Sequence, residues 1–137
     1  MKLRILLIED NALNVELATD LLVVRGFQVA HAVTAEEGLR LAAQTLPDLI
    51  LMDLSLPGMD GLVATKALKA NPATSQIPVI ALTAHAMRGD QEIAFEAGCD
   101  GYLSKPIDVR SFALKVFEFI AAANPSRNEQ QTAFIKI

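Results

Sequence analysis

The chain has no tryptophan, a single tyrosine at position 102 and a single cysteine at position 99. With so few large aromatics, packing falls to aliphatic side chains. One cysteine excludes an intramolecular disulfide and suits a reducing, cytoplasmic setting. A basic excess is also missing. The net charge is −4, which argues against direct nucleic-acid binding, since phosphate contacts need a basic surface. Long apolar runs are absent too. Residues 3–8 are apolar but short, and Glu9 and Asp10 follow at once, so the segment reads as a buried strand and not as a membrane span or targeting sequence. No repeat or low-complexity tract is present, and no His/Cys cluster offers the ligands zinc favours. What is there is 137 residues, 52% of them apolar, enough for one domain with its own core.

Strand-like apolar runs alternate with helix-like amphipathic stretches. Strands are expected at residues 3–8, 27–32, 48–53, 78–83 and 100–103, and helices at about 12–25, 35–46, 61–70, 86–97 and from Asp108 to about 123. Asn11 is placed to cap the first helix, with Gly26 just past its end and Leu17, Leu21, Leu22 and Val24 on or near its inner side. Thr34 to Glu37 has the capping-box pattern, and Pro47, Asn71-Pro72 and Gly98 end later helices. Five strand–helix repeats imply an α/β fold: a doubly wound five-stranded parallel sheet covered by helices on both faces.

Ligands of such sheets sit outside the carboxyl ends of the strands. Here those ends carry Glu9 and Asp10 after strand one, Asp53 ending strand three, Thr83 ending strand four and Lys105 after strand five. Each has an ordinary reading alone: a solvated acid pair, a strand-end acid, a β-branched strand residue, a turn. Together they are a chemical set. Three carboxylates in one crevice repel, and Mg²⁺, a hard cation satisfied by oxygen ligands and water, would offset that charge. A carboxylate is also a nucleophile toward phosphorus. Phosphoryl transfer asks mainly for positioning and charge neutralisation, which a metal and a lysine provide, with the Thr83 hydroxyl able to donate to a phosphate oxygen.

On these residues the sequence resembles the receiver-domain family of two-component signalling. The resemblance spans about residues 3–122 and rests on Ile8-Glu9-Asp10-Asn11, on Met52 to Gly61, on Ala81-Leu82-Thr83-Ala84, on Gly98 to Tyr102 and on Leu103-Ser104-Lys105-Pro106. The wording is closest to single-domain receivers of cell-cycle type and to receivers attached to hybrid kinases. The resemblance implies the strand order 2-1-3-4-5 of a flavodoxin-like three-layer sandwich. It implies a signalling regulator, not an enzyme, in which Asp53 is the phosphoacceptor. Mg²⁺ would be held by Glu9, Asp10, Asp53 and the backbone carbonyl of Ser55. Thr83 and Lys105 would contact the phosphoryl group, Tyr102 would be the aromatic switch, and Lys105-Pro106 would be cis. Glu9 stands where many members have Asp, which keeps the charge and lengthens the arm. The implied partners are a sensor histidine kinase or histidine phosphotransfer protein, a downstream target, or a second copy of the chain, which is otherwise a monomer.

Competing readings are a phosphate sink or relay intermediate, a haloacid-dehalogenase-type phosphatase, a flavin carrier and a transcription factor. Asp53-Leu54-Ser55 lacks the second acid that the phosphatase needs. No Gly-rich loop follows strand one, which counts against a nucleotide or flavin. A receiver domain over 1–123 leaves residues 124–137 as an expected flexible tail, too short for a DNA-binding domain. By the same resemblance, Ser55 and His85 would flank the path of hydrolytic water, with the small Ala84 leaving the site open, and the bulky His85, lacking a carboxylate or amide to orient water, leads us to expect slow loss of a phosphoryl group.

Overall fold

A computed structural model describes residues 2–54, 60–84 and 88–123, with the backbone alone for 88–90. Five strands and five helices alternate: β1 (Arg4–Ile8), α1 (Ala12–Val23), β2 (Gln28–Ala32), α2 (Ala35–Thr45), β3 (Leu49–Asp53), α3 (Gly61–Ala70), β4 (Val79–Thr83), α4 (Arg88–Ala97), β5 (Gly101–Ser104) and α5 (Phe112–Ala123). The strands form one sheet, all neighbours parallel, in the order β2-β1-β3-β4-β5. Fold class and strand order are therefore as expected.

The central strands are apolar on both faces because both faces are covered. Alternate residues sort to the two sides of the pleat. Leu3, Ile5, Leu7, Leu49, Leu51, Ile80 and Leu82 pack with Ala18 and Leu22 of α1 and with Phe112, Val116, Phe117 and Ile120 of α5. Leu6, Ile8, Ile50, Met52, Val79 and Ala81 pack with Ala35 and Ala42 of α2, Ala64 and Leu68 of α3, and Ala94 of α4. The second layer meets the sheet largely through alanines, which lets its helices approach closely.

Caps set the helix starts. The Asn11 side chain accepts from the Leu13 and Asn14 N–H groups, Thr34 accepts from Glu37 N–H, and Asp60 accepts from Val63 N–H. Gly26 takes φ 93° just beyond α1.

Two expectations need correction. Ala18 and Leu22 are the buried residues of α1, Leu21 is half-buried, and Leu17 and Val24 face solvent. The helix is apolar on most sides, so periodicity alone did not single out its inner face. Asp108 also does not cap α5 directly. It heads a turn over 109–111, accepting from Arg110 N–H, and the helix begins at Phe112. The start of the fourth helix at 86–87 lies outside the described residues.

Candidate phosphoacceptor and metal site

The sheet register assembles the site. Ile8 pairs with Met52, so the next residues, Glu9 and Asp53, emerge together at the carboxyl edge of the two central strands. Asp53 pairs with Leu82, which sets Thr83 one step further out on the adjacent strand. The Lys105 N–H donates to the Thr83 carbonyl at 2.8 Å and draws the loop after β5 over the same edge. Lys105-Pro106 is cis, as expected.

Glu9, Asp53 and Thr83 are buried, at 1%, 2% and 6% exposure, while Asp10 is exposed. One carboxylate oxygen from each of Glu9, Asp10 and Asp53 lies within 4.8 Å of the others. Lys105 Nζ reaches in to 2.7 Å from Glu9 Oε1 and 3.2 Å from Asp53 Oδ1. Thus the ammonium partly offsets two buried acids, with a third at the rim.

The charges act on one another. Burial pushes the Glu9 carboxyl above the ordinary carboxylate range, its contact with Asp53 pushes it further, and Lys105 and the Asn11 N–H pull against that. For Lys105, burial works against the charged form, but pairing with Glu9 and Asp53 outweighs it, so its ammonium is held more firmly than usual.

The backbone around Glu9 is fixed from β2. Glu9 N–H donates to the Ala32 carbonyl at 3.0 Å, and His31 Nε2 lies 2.8 Å from the Glu9 carbonyl, to which it donates. Asn11 N–H adds a bond to Glu9 Oε2 at 3.2 Å. His31 was not singled out from the sequence. It belongs to an edge strand with little apolar pattern, and only the parallel pairing places it beside Glu9. Gly61, the first residue of α3, lies against the turn after Asp53: a Cβ there would come within 2.6 Å of the Asp53 carbonyl oxygen and 2.9 Å of Leu54 Cα.

The donor set suits Mg²⁺. It is made of hard oxygens, close enough to share one ion that keeps several waters. Glu9 Oε1, although buried and close to Lys105, lacks a hydrogen bond of normal geometry among the described residues, so it has a lone pair to offer. Ser55 and His85 lie outside the described residues, as do 124–137. Tyr102 is half-buried on β5, its hydroxyl accepting from Gln91 Nε2 and its ring edge-on to Phe95. It points toward α4 and not into the acid cluster.

Comparison with known proteins agrees with this geometry. Residues 5–117 match the model of the response regulator receiver domain. The chain is 42% identical over 119 residues to the polar-differentiation response regulator DivK of Brucella ovis, covering 87% of this chain and 97% of that one. Among solved structures, the receiver domain of sensor histidine kinase PA1611 from Pseudomonas aeruginosa, which has a magnesium ion coordinated in its active-site cleft, is similar with a TM-score of 0.81 and 34% identity, over 88% of this chain and 99% of that one. A CheY-like receiver domain protein of Methanospirillum hungatei gives a TM-score of 0.82 at 27% identity, over 92% and 99%. This family works in signalling and takes its phosphoryl groups from histidine kinases or phosphotransfer proteins. The chain belongs to the response regulator receiver domain family.

Proposed function

We propose that this receiver accepts a phosphoryl group on Asp53, with Mg²⁺ held by Glu9, Asp10, Asp53 and the Ser55 carbonyl, and that the change is passed to a separate protein through the face made by α4, β5 and α5. The observation that carries the reading is Lys105 Nζ standing between two buried carboxylates, Glu9 and Asp53, at 2.7 and 3.2 Å. A structural lysine needs one partner. A lysine shared by an acid pair is placed to follow charge as it moves from carboxylate to phosphoryl oxygen.

An Asp53 carboxylate oxygen attacks phosphorus of a phosphohistidine or small acyl phosphate. The new O–P bond forms as the bond to the donor breaks, and the electron pair leaves with the donor. Bound Mg²⁺ supplies charge stabilisation for the transferring group. Lys105 gives up part of its contact with Asp53 and pairs with a phosphoryl oxygen, a charge-assisted bond. Thr83 donates its hydroxyl to another oxygen, which moves the end of β4 inward. Tyr102 then turns from α4 toward the space vacated. The energy involved need not exceed the roughly 1–3 kcal/mol typical of allosteric coupling.

Incubation with acetyl phosphate and Mg²⁺, followed by intact-mass measurement, should show one added phosphoryl group that is absent in Asp53→Asn. Undiminished labelling of that variant would reject Asp53 as the acceptor. Shift mapping by NMR with beryllofluoride, a mimic of the bound phosphoryl, separates a switching receiver from a phosphate sink. A switch changes residues from Thr83 to Lys105 and the start of α5, whereas a sink changes only the loops around Asp53.

A further inference from the structure

Tyr102 leaves β5 on the side covered by α4, and two residues of that helix hold it. Gln91 Nε2 donates to the tyrosine hydroxyl. The Phe95 ring meets the tyrosine ring edge-on, with centroids 6.5 Å apart and planes at 86°. Gln91 and Phe95 are four residues apart in α4, so they project from the same side of the helix. The contact lies at the rim of the molecule and not in its core: Phe95 is 49% exposed, and Gln91 and Tyr102 are half-buried. Neither side chain is needed there to fill the interior. A glutamine at the rim can be satisfied by water, yet its amide is directed at the hydroxyl.

We propose that Gln91 and Phe95 form a clasp that holds Tyr102 outward, and that Gln91 thereby sets how readily the receiver switches. The inference rests on the proposed roles of Asp53 and Tyr102. When the tyrosine turns toward Thr83, its hydroxyl leaves Gln91, so the amide–hydroxyl bond exists in the resting state alone. An interaction made in only one of two states biases the equilibrium by its own free energy. By reciprocity, it weakens the binding of anything that favours the other state. One neutral hydrogen bond is worth roughly a two- to tenfold change in such an equilibrium, and the aromatic edge contact acts in the same direction. Gln91 is a positioning residue in this scheme. It lies on α4 and not at the strand ends that carry the acids, and it acts through the tyrosine.

The test is a beryllofluoride titration in saturating Mg²⁺, read at the Thr83 amide by NMR so that every variant shares one reporter. Gln91→Leu keeps the size of the side chain and removes the donor. Its half-saturating beryllofluoride concentration should fall about threefold below wild type, and Gln91→Ala should move in the same direction. Tyr102→Phe removes the acceptor, and in that background Gln91→Leu should have no further effect, which isolates the pair from anything else the glutamine touches. A wild-type midpoint in both glutamine variants, or an equal shift in the Tyr102→Phe background, overturns the clasp and leaves the phosphoacceptor reading standing. A wild-type protein that takes up no beryllofluoride overturns that reading, and the clasp with it.

Discussion

At the scale of single residues, burial distinguishes the site's acids from ordinary surface charge. Exposed ion pairs contribute little, but Glu9 and Asp53 sit nearly out of water beside one ammonium. Asp108 shows the opposite case. It is fully exposed, and its carboxyl is held below the usual range chiefly by the Arg110 N–H, which donates to Oδ1 at 3.0 Å, with Ser111 and Lys115 adding to it. A carboxyl lowered on folding contributes stability that is present above its unfolded pKa and is lost as pH falls through the folded value. Asp108→Ala should therefore lower the thermal midpoint near pH 6, and the gap to wild type should close as the pH falls through the lowered pKa of the folded carboxyl, below which both states carry the proton. A gap that stays constant across that range would mean that the side chain acts through turn geometry and not through its charge. Residue identity at the site was legible in the sequence because acids, a hydroxyl and a lysine stood at successive strand ends. His31 and Gln91 were not, since their bonds to Glu9 and Tyr102 join residues apart in the chain, and no local pattern marks such a bond.

Elements were legible where punctuation was strong. Pro47, Gly98 and the caps at Asn11 and Thr34 fixed helix ends, whereas the Asp60 cap of α3 was not read from the sequence, α1, apolar on most sides, hid its inner face, and the turn at 109–111 delayed α5. One helix end departs from the usual chemistry. The residue closing α2 is Leu46, at φ 47°, in the left-handed region where glycine is normal. Its side chain is 49% exposed and its carbonyl accepts from the Arg4 guanidinium at 2.9 Å, a bond that a glycine would keep. Leu46→Gly should therefore stabilise the domain by about 0.5–1 kcal/mol, read as a higher urea midpoint with unchanged slope. A lower midpoint would show that the exposed leucine packs more than it strains. The start of α3 makes the contrary case. Gly61 is required by close approach to the backbone of Asp53 and Leu54. Since backbone yields less readily than a side-chain tip, Gly61→Ala should cost about 1–3 kcal/mol and slow acetyl-phosphate labelling. Labelling at the wild-type rate in a folded variant would mean that the loop absorbs the methyl without moving the acceptor.

Across the whole molecule, site and stability oppose one another. The parallel sheet collects three carboxylates and one ammonium at a single edge, an excess of negative charge that the hydrophobic layers on both faces must hold in place. Asp53→Asn removes one of those charges and leaves Lys105 paired with Glu9 at 2.7 Å. In chelator the variant should therefore be more stable than wild type, by about 1 kcal/mol, because relieved repulsion and desolvation outweigh the lost contact to a lysine that keeps a partner. In Mg²⁺ the order should reverse. A metal that binds the folded state adds stability as the logarithm of its concentration over its dissociation constant, and on the proposed metal site the variant lacks one ligand and part of the charge that would attract the ion. Urea unfolding of both proteins across a Mg²⁺ series should give two lines that cross, the wild type rising more steeply. Parallel lines would show that Asp53 is not a ligand. A variant less stable than wild type even in chelator would show that the Asp53–Lys105 pair holds the fold together, and that the acid pays for its burial without the metal.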